Sequence, residues 1–168
     1  MRGRGGFVLV EASMTYLVLG LAVVALVPVF LLSVRANKAT ERVATATHLA
    51  QELLEEVRLR RWDELTPVPP EAVPSGSPVL GPDSGETAGD KRAFDDADDF
   101  NGWQEAAPLD PVMRPVASFE TYRRSVSVGY LTEAGAPSAG PTDRKQVTVC
   151  VSGGKMRPVC LDALLANR

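Results

Sequence analysis

The sequence predicts an α+β fold in which one long N-terminal helix precedes a small antiparallel sheet. Three observations carry that expectation. Ala12 to Val34 holds no charged residue and is rich in Leu, Val and Ala. Ala39, Val43, Ala46, Ala50, Leu53 and Val57 then step by four and three, the spacing of one apolar helix stripe. Near the C-terminus, "SVSVGYL" and "QVTVCV" alternate Val or Tyr with small or polar residues, the period of a half-buried strand.

The elements follow in order. Residues 1–6 are a short basic, Gly-rich leader. Residues 7–35 form a helix whose apolar length suits the hydrocarbon core of a bilayer; a secretory h-region is shorter and ends in a small-residue cleavage site. Pro28 lies inside this run, where it removes a backbone hydrogen bond and is expected to loosen the helix. Residues 36–65 continue as the amphipathic half, with Leu49 and Leu54 widening the stripe and Glu41, Arg42, Glu52, Glu55, Arg58 and Arg60 mostly off it. Pro67 stops the helix, because the residue before proline is pushed out of the α region. Residues 66–115 are dense in Pro, Gly and Ser, then acidic at "FDDADDFNGW", and read as loop. Residues 116–168 read as the antiparallel sheet, with "SGG" at Ser152–Gly154 as a turn between two strands.

Charge and chemistry narrow the function classes. The net charge is −3, against a broadly basic nucleic-acid surface. "RLRRW" and "YRR" join arginine to an aromatic ring, but phosphate binding needs a larger positive stripe; nucleic acid is not an expected partner. The single histidine, His48, has Ala and Thr neighbours and no Ser or Cys motif nearby, so no enzyme is expected. Arg2 and Arg4 before the apolar run balance Arg35 and Lys38 after it, and the positive-inside rule gives no orientation.

The N-terminus raises a sharper point. Glu11 stands just inside the apolar run, where a carboxylate is costly. Gly6-Phe7 precedes it, followed by Val8-Leu9-Val10-Glu11. This stretch resembles the class III signal of type IV prepilins and type II secretion pseudopilins. The resemblance covers residues 1–34. It implies that a prepilin peptidase cuts between Gly6 and Phe7 and methylates the new N-terminal Phe7. Glu11 becomes the fifth residue of the mature chain and meets the Phe7 ammonium of a neighbouring subunit during assembly. Pro28 falls at the family's helix-loosening proline. The resemblance further implies a pilin-like fold, other pilin or pseudopilin subunits and an inner-membrane assembly platform as partners, and contact with membrane lipid. The leader would lie in the cytoplasm and the C-terminal domain outside it, in a pilus or pseudopilus. The more polar start "ASMTYLVLG", the long Pro-rich middle and the short sheet suit a minor pilin better than a major subunit. Two alternatives stay open: a type II secretion minor pseudopilin, and a single-span membrane-anchored adhesin or sensor.

Two further motifs complete the reading. Cys150 and Cys160 lie on opposite arms of the hairpin, both on the face away from the valines. There they can bridge, and a compartment outside the cytoplasm favours oxidation; the alternative is two unpaired small residues. "FDDADDFNGW" is similar to the acidic loop of minor pilins of the mannose-sensitive haemagglutinin pilus. Asp95, Asp96, Asp98 and Asp99 offer oxygens that Ca²⁺ accepts, and calcium sites occur in some pseudopilins. The EF-hand ladder fails here, however. The expectation is a solvated acidic loop pinned by Phe94, Phe100 and Trp103, with no metal and no other cofactor, Ca²⁺ being the alternative.

Overall fold

A computed structural model describes residues 4–62, 79–154 and 156–167, with side chains from Leu9 onward. The fold is α+β. One helix, α1 (Arg4–Arg58), is followed by five strands: β1 (Gln104–Glu105), β2 (Tyr122–Leu131), β3 (Pro137–Ser138), β4 (Arg144–Gly153) and β5 (Val159–Ala166). The chain divides into two compact units, Met1–Glu41 and Arg42–Arg168.

In the first unit α1 is long and apolar enough to cross a membrane. Leu, Val and Phe cover it, and they are exposed all round from Leu9 to Phe30. A helix that is apolar on every side has no solvated face to offer water. Pro28 is inside the helix, which runs through it. Proline has no N–H, so the Val24 carbonyl loses its usual donor there.

The second unit is built on the last turns of α1. Ala46, Leu49, Ala50, Leu53, Leu54 and Val57 are buried against Val126, Val128, Val147, Val149 and Val151 of the sheet. Ala39 and Val43, expected in the same stripe, are exposed. The helix ends at Arg58 rather than at residue 65. Its last amides close by shorter steps, and the Arg60 amide donates to the Val57 carbonyl at 3.1 Å. The Arg61 backbone then pairs with the acidic loop, taking the Ala97 amide at 3.0 Å. A competing long-range bridge thus stops the helix before Pro67 can. The expected residues 63–65 of the helix and the Pro-rich residues 66–78 lie outside the described residues.

The sheet is antiparallel throughout, in the order β1-β2-β4-β5, with β3 also paired to β2. It begins earlier than residue 116, because Gln104 and Glu105 pair with Ser125 and Arg124. Strands β2 and β4 bury every second residue. Their inner stripe carries a cation at each end. Arg124 faces Val151 across the ladder, and Lys145 faces Tyr130; both cations are fully buried.

Candidate functional site

The N-terminal motif belongs to the first unit. Gly6 and Phe7 are helical residues of α1, and the Phe7 side chain lies outside the described residues. Glu11 is exposed, and its carbonyl accepts the Thr15 hydroxyl at 2.8 Å. Ser13 donates likewise to the Leu9 carbonyl at 2.8 Å. These bonds satisfy both hydroxyls on the backbone of their own helix. Glu11 then remains the one Asp, Glu, Lys or Arg on the helix between Leu9 and Val34.

In the second unit, the segment from Lys91 to Leu109 covers the helix and is fixed to both ends of the inner stripe. At one end Glu105 is buried and fully used. Its Oε2 accepts Arg124 Nε at 2.6 Å and the Leu109 amide at 3.0 Å. Its Oε1 accepts Trp103 Nε1 at 3.1 Å and faces Lys91 Nζ at 3.1 Å. Lys91 also donates to Glu56 Oε2 at 2.8 Å and to the Leu109 carbonyl at 3.0 Å. Arg124 reaches past Glu105 to the Leu109 carbonyl at 2.6 Å and to the Leu49 carbonyl at 3.3 Å. One carboxylate therefore ties helix, loop and sheet together. At the other end Lys145 is bonded to Asp98 and the Trp62 carbonyl, with the Trp62 and Tyr130 rings 4.7 Å and 5.5 Å away.

The acidic loop is not solvated. Asp96, Asp98 and Asp99 are buried, and only Asp95 of the four is exposed. The three aromatics do pin it: Phe94 packs edge-on against Phe100 and Trp103 at 5.0 Å and 5.4 Å. The loop folds on its own carboxylates. Asp96 Oδ1 accepts the amides of Asp98 and Asp99, and Asp99 Oδ2 accepts those of Asp95 and Asp96. Asp96 Oδ2 is buried without a hydrogen-bond partner. Burial, then the charges of Asp98 and Asp99, push the Asp96 carboxyl up to about 7. A proton there also lets it donate to Asp98, where two carboxylates have none to share. Burial raises Asp99 to about 7 as well, and Glu86 adds to the effect, against the amides of Asp96 and Asp95. Asp90 moves the other way, down to about 2, because Arg92 bonds it.

The four aspartates do not form one ligand set. Asp95 and Asp99 join Glu86, with an oxygen of each within 4.8 Å of the others, while Asp98 turns to Lys145. Two of the three are already engaged: Asp99 Oδ2 accepts the amides of Asp95 and Asp96, and Arg61 pairs with Asp95 at 3.4 Å, so a Ca²⁺ there would have to compete with these bonds and draw further oxygens from backbone or water. Between EDTA and millimolar Ca²⁺ the melting temperature of the full chain in detergent is expected to stay constant. A saturable rise, lost in Asp95→Asn with Asp99→Asn, would establish a calcium site instead.

Cys150 and Cys160 are joined in a disulfide across β4 and β5, with a Cα separation of 4.0 Å, on the outer face of the sheet. Alkylation of the folded chain without reductant is expected to label neither cysteine. Replacing both by serine is expected to cost about 2–3 kcal/mol in urea unfolding, the range for a short closed loop.

Other residues have ordinary surroundings. His48 is exposed. Arg124 is buried within the arginine–aromatic stretch considered for nucleic acid, so it presents no charge to phosphate. A cleft of about 490 Å³ opens beside Phe94, Trp103, Leu109 and Met113. Among the described residues, its titratable lining groups are Asp99 and Glu105.

Sequence reading missed the buried ions, although parity held a signal for two of them. Arg124 is in step with Val126 and Val128, and Lys145 with Val147 and Val149, so both belong to the inward face. Lys91 and Glu105 lie in irregular or two-residue segments and carry no such mark.

Fold and site together define a class: a small α+β unit carried on a single helix that can span a membrane. No protein-family model, curated protein or solved structure matches this chain.

Proposed function

We propose that this chain is a non-catalytic minor subunit of a type IV pilus, anchored in the inner membrane by α1 and assembled after a prepilin peptidase cuts between Gly6 and Phe7. The observation that carries the reading is the joint placement of Gly6-Phe7, a lone carboxylate at Glu11 and an unbroken helix from Arg4 to Arg58 whose last turns form the core of a small sheet. Cleavage frees an α-amino group on Phe7. Packed among other apolar helices, Glu11 of one subunit and the Phe7 ammonium of the next attract strongly in a low dielectric, and the pair offsets part of their desolvation. The carboxylate thereby sets the stagger between subunits, and the assembly platform and neighbouring pilins are the partners. A minor pseudopilin of type II secretion would use the same device, and the genes beside this one distinguish the two.

Mass spectrometry of membrane-extracted protein is expected to find methylated Phe7 at the N-terminus. An intact Met1 in cells with an active prepilin peptidase would turn the reading to a simple membrane-anchored adhesin or sensor. Glu11→Val is expected to leave insertion and cleavage intact and to lower incorporation into filaments at least tenfold, a loss of about 1.4 kcal/mol or more in coupling. Normal incorporation would remove the role given to Glu11.

A further inference from the structure

The outer edge of β5 is an open half of a hydrogen-bond ladder. Strand β5 pairs with β4 on one side, and no strand among the described residues pairs with the other. The direction of its backbone groups can be read. Cys150 and Cys160 face each other at a Cα separation of 4.0 Å, the close spacing of a non-hydrogen-bonded antiparallel pair. One step beyond the strand, the Asn167 amide donates to the Asp143 carbonyl at 2.9 Å, in the same register. Odd-numbered residues of β5 therefore point their N–H and C=O groups at β4. Cys160, Asp162, Leu164 and Ala166 point theirs outward.

Proteins ordinarily blunt such an edge with lysine, proline, a bulge or a very short strand. This edge has none of these over its eight residues, VCLDALLA. Its one charge is Asp162, and Leu164 is 60% exposed on the outer face.

We infer that the β5 edge pairs antiparallel with β5 of a second copy of this chain, with Leu164 facing Leu164 on the two-fold axis. Three features select this register. The outward groups of Asp162, Leu164 and Ala166 then meet Ala166, Leu164 and Asp162 of the second copy, giving about six hydrogen bonds. The two exposed leucines cover each other. Asp162 faces an alanine, and the two Asp162 residues lie four positions apart, about 13 Å at 3.3 Å per residue. Centring the pair on Asp162 would bring the carboxylates into one facing pair, at about 5.5 Å between Cα atoms. On the inner face, Ala163 meets Leu165 and extends the apolar layer of both sheets. The contact is isologous, so it closes at two copies and does not propagate. It does not rest on the filament reading.

The test uses the full chain in detergent micelles at micromolar concentration. Two chains per particle are expected by light scattering. Leu164→Cys should cross-link chain to chain under mild oxidation, since facing residues fall within disulfide reach; Asp162→Cys should not. Leu164→Pro removes an outward N–H, which an edge strand tolerates, together with the exposed leucine side chain at the proposed axis. It should give one chain per particle with the melting transition retained. If that variant fails to fold, the cross-linking contrast decides alone. A wild-type chain that stays single, a folded Leu164→Pro that still pairs, equal cross-linking of Asp162→Cys and Leu164→Cys, or cross-links to a different protein would each overturn the proposal.

Discussion

Raising the pH from 5 to 8 will destabilise the folded unit. Asp96 and Asp99 are held up to about 7 by burial and neighbouring carboxylates, against 3.8 for the free group. Between about pH 4 and 7 the folded chain therefore binds more protons than the unfolded one, and stability falls as pH rises through that window. Below it both states are protonated at these groups, and above it neither is, so the dependence flattens at each end. A tenfold difference in one group's proton affinity between the two states is worth about 1.4 kcal/mol; for two coupled groups in one loop, a fall on the order of 3 kcal/mol from pH 5 to 8 is expected. Asp90, held down by Arg92, acts only near pH 2–4 and in the opposite sense. Urea unfolding of the full chain across this range measures the slope. Asp96→Asn keeps an oxygen for the Asp98 and Asp99 amides and gains a permanent donor toward Asp98. It should be the more stable protein at pH 8 and show a shallower slope. An unchanged slope in that variant would place the buried proton elsewhere.

Glu105→Ala will cost the most of any single exchange in the second unit. It leaves the fully buried Arg124 with Glu52 at 4.0 Å as its nearest carboxylate and the fully buried Lys91 with Glu56 alone. It also strips the Trp103 indole and the Leu109 amide of their acceptor. Breaking a buried ion pair from one side typically costs 3–5 kcal/mol, because the remaining charge is uncompensated. The same network replaced whole by apolar residues could cost little, so the figure measures the damage of removing one member and not the worth of the network. Arg123→Ala, one residue along on the exposed side of β2, should change stability by less than about 0.5 kcal/mol. Thermal melts of the two variants beside the parent chain check the contrast. Equal losses would mean that the network is not what fastens the loop.

The two long-period signals were legible in the residues alone. The apolar run and its stripe produced α1, and the alternating valines produced β2 and β4, because periodicity reports which face of an element is dry. The partner of that face is another matter. Nothing local marks Glu105 as the acid that meets Arg124, and four aspartates within five positions look solvated to any local reading. Their burial depends on Lys145 and on amides of the loop's own fold. Likewise Pro67 is a sound stop signal, yet the Arg61 bridge to the acidic loop ended the helix first.

The helix that forms the floor of the core has a consequence for synthesis. Its stripe from Ala46 to Val57 leaves the ribosome well ahead of the strands that cover it. The Leu49 carbonyl waits 75 residues for Arg124, and the Trp62 carbonyl waits 83 for Lys145. Strand β5 comes later still, and with it the disulfide. Contacts so distant along the chain cannot form during the first half of translation, and they slow folding through the entropy of closing large loops. Until its final quarter emerges, the growing chain carries an uncovered apolar ridge directly behind a segment suited to lipid. Premature termination anywhere before β4 is therefore expected to release an aggregation-prone fragment.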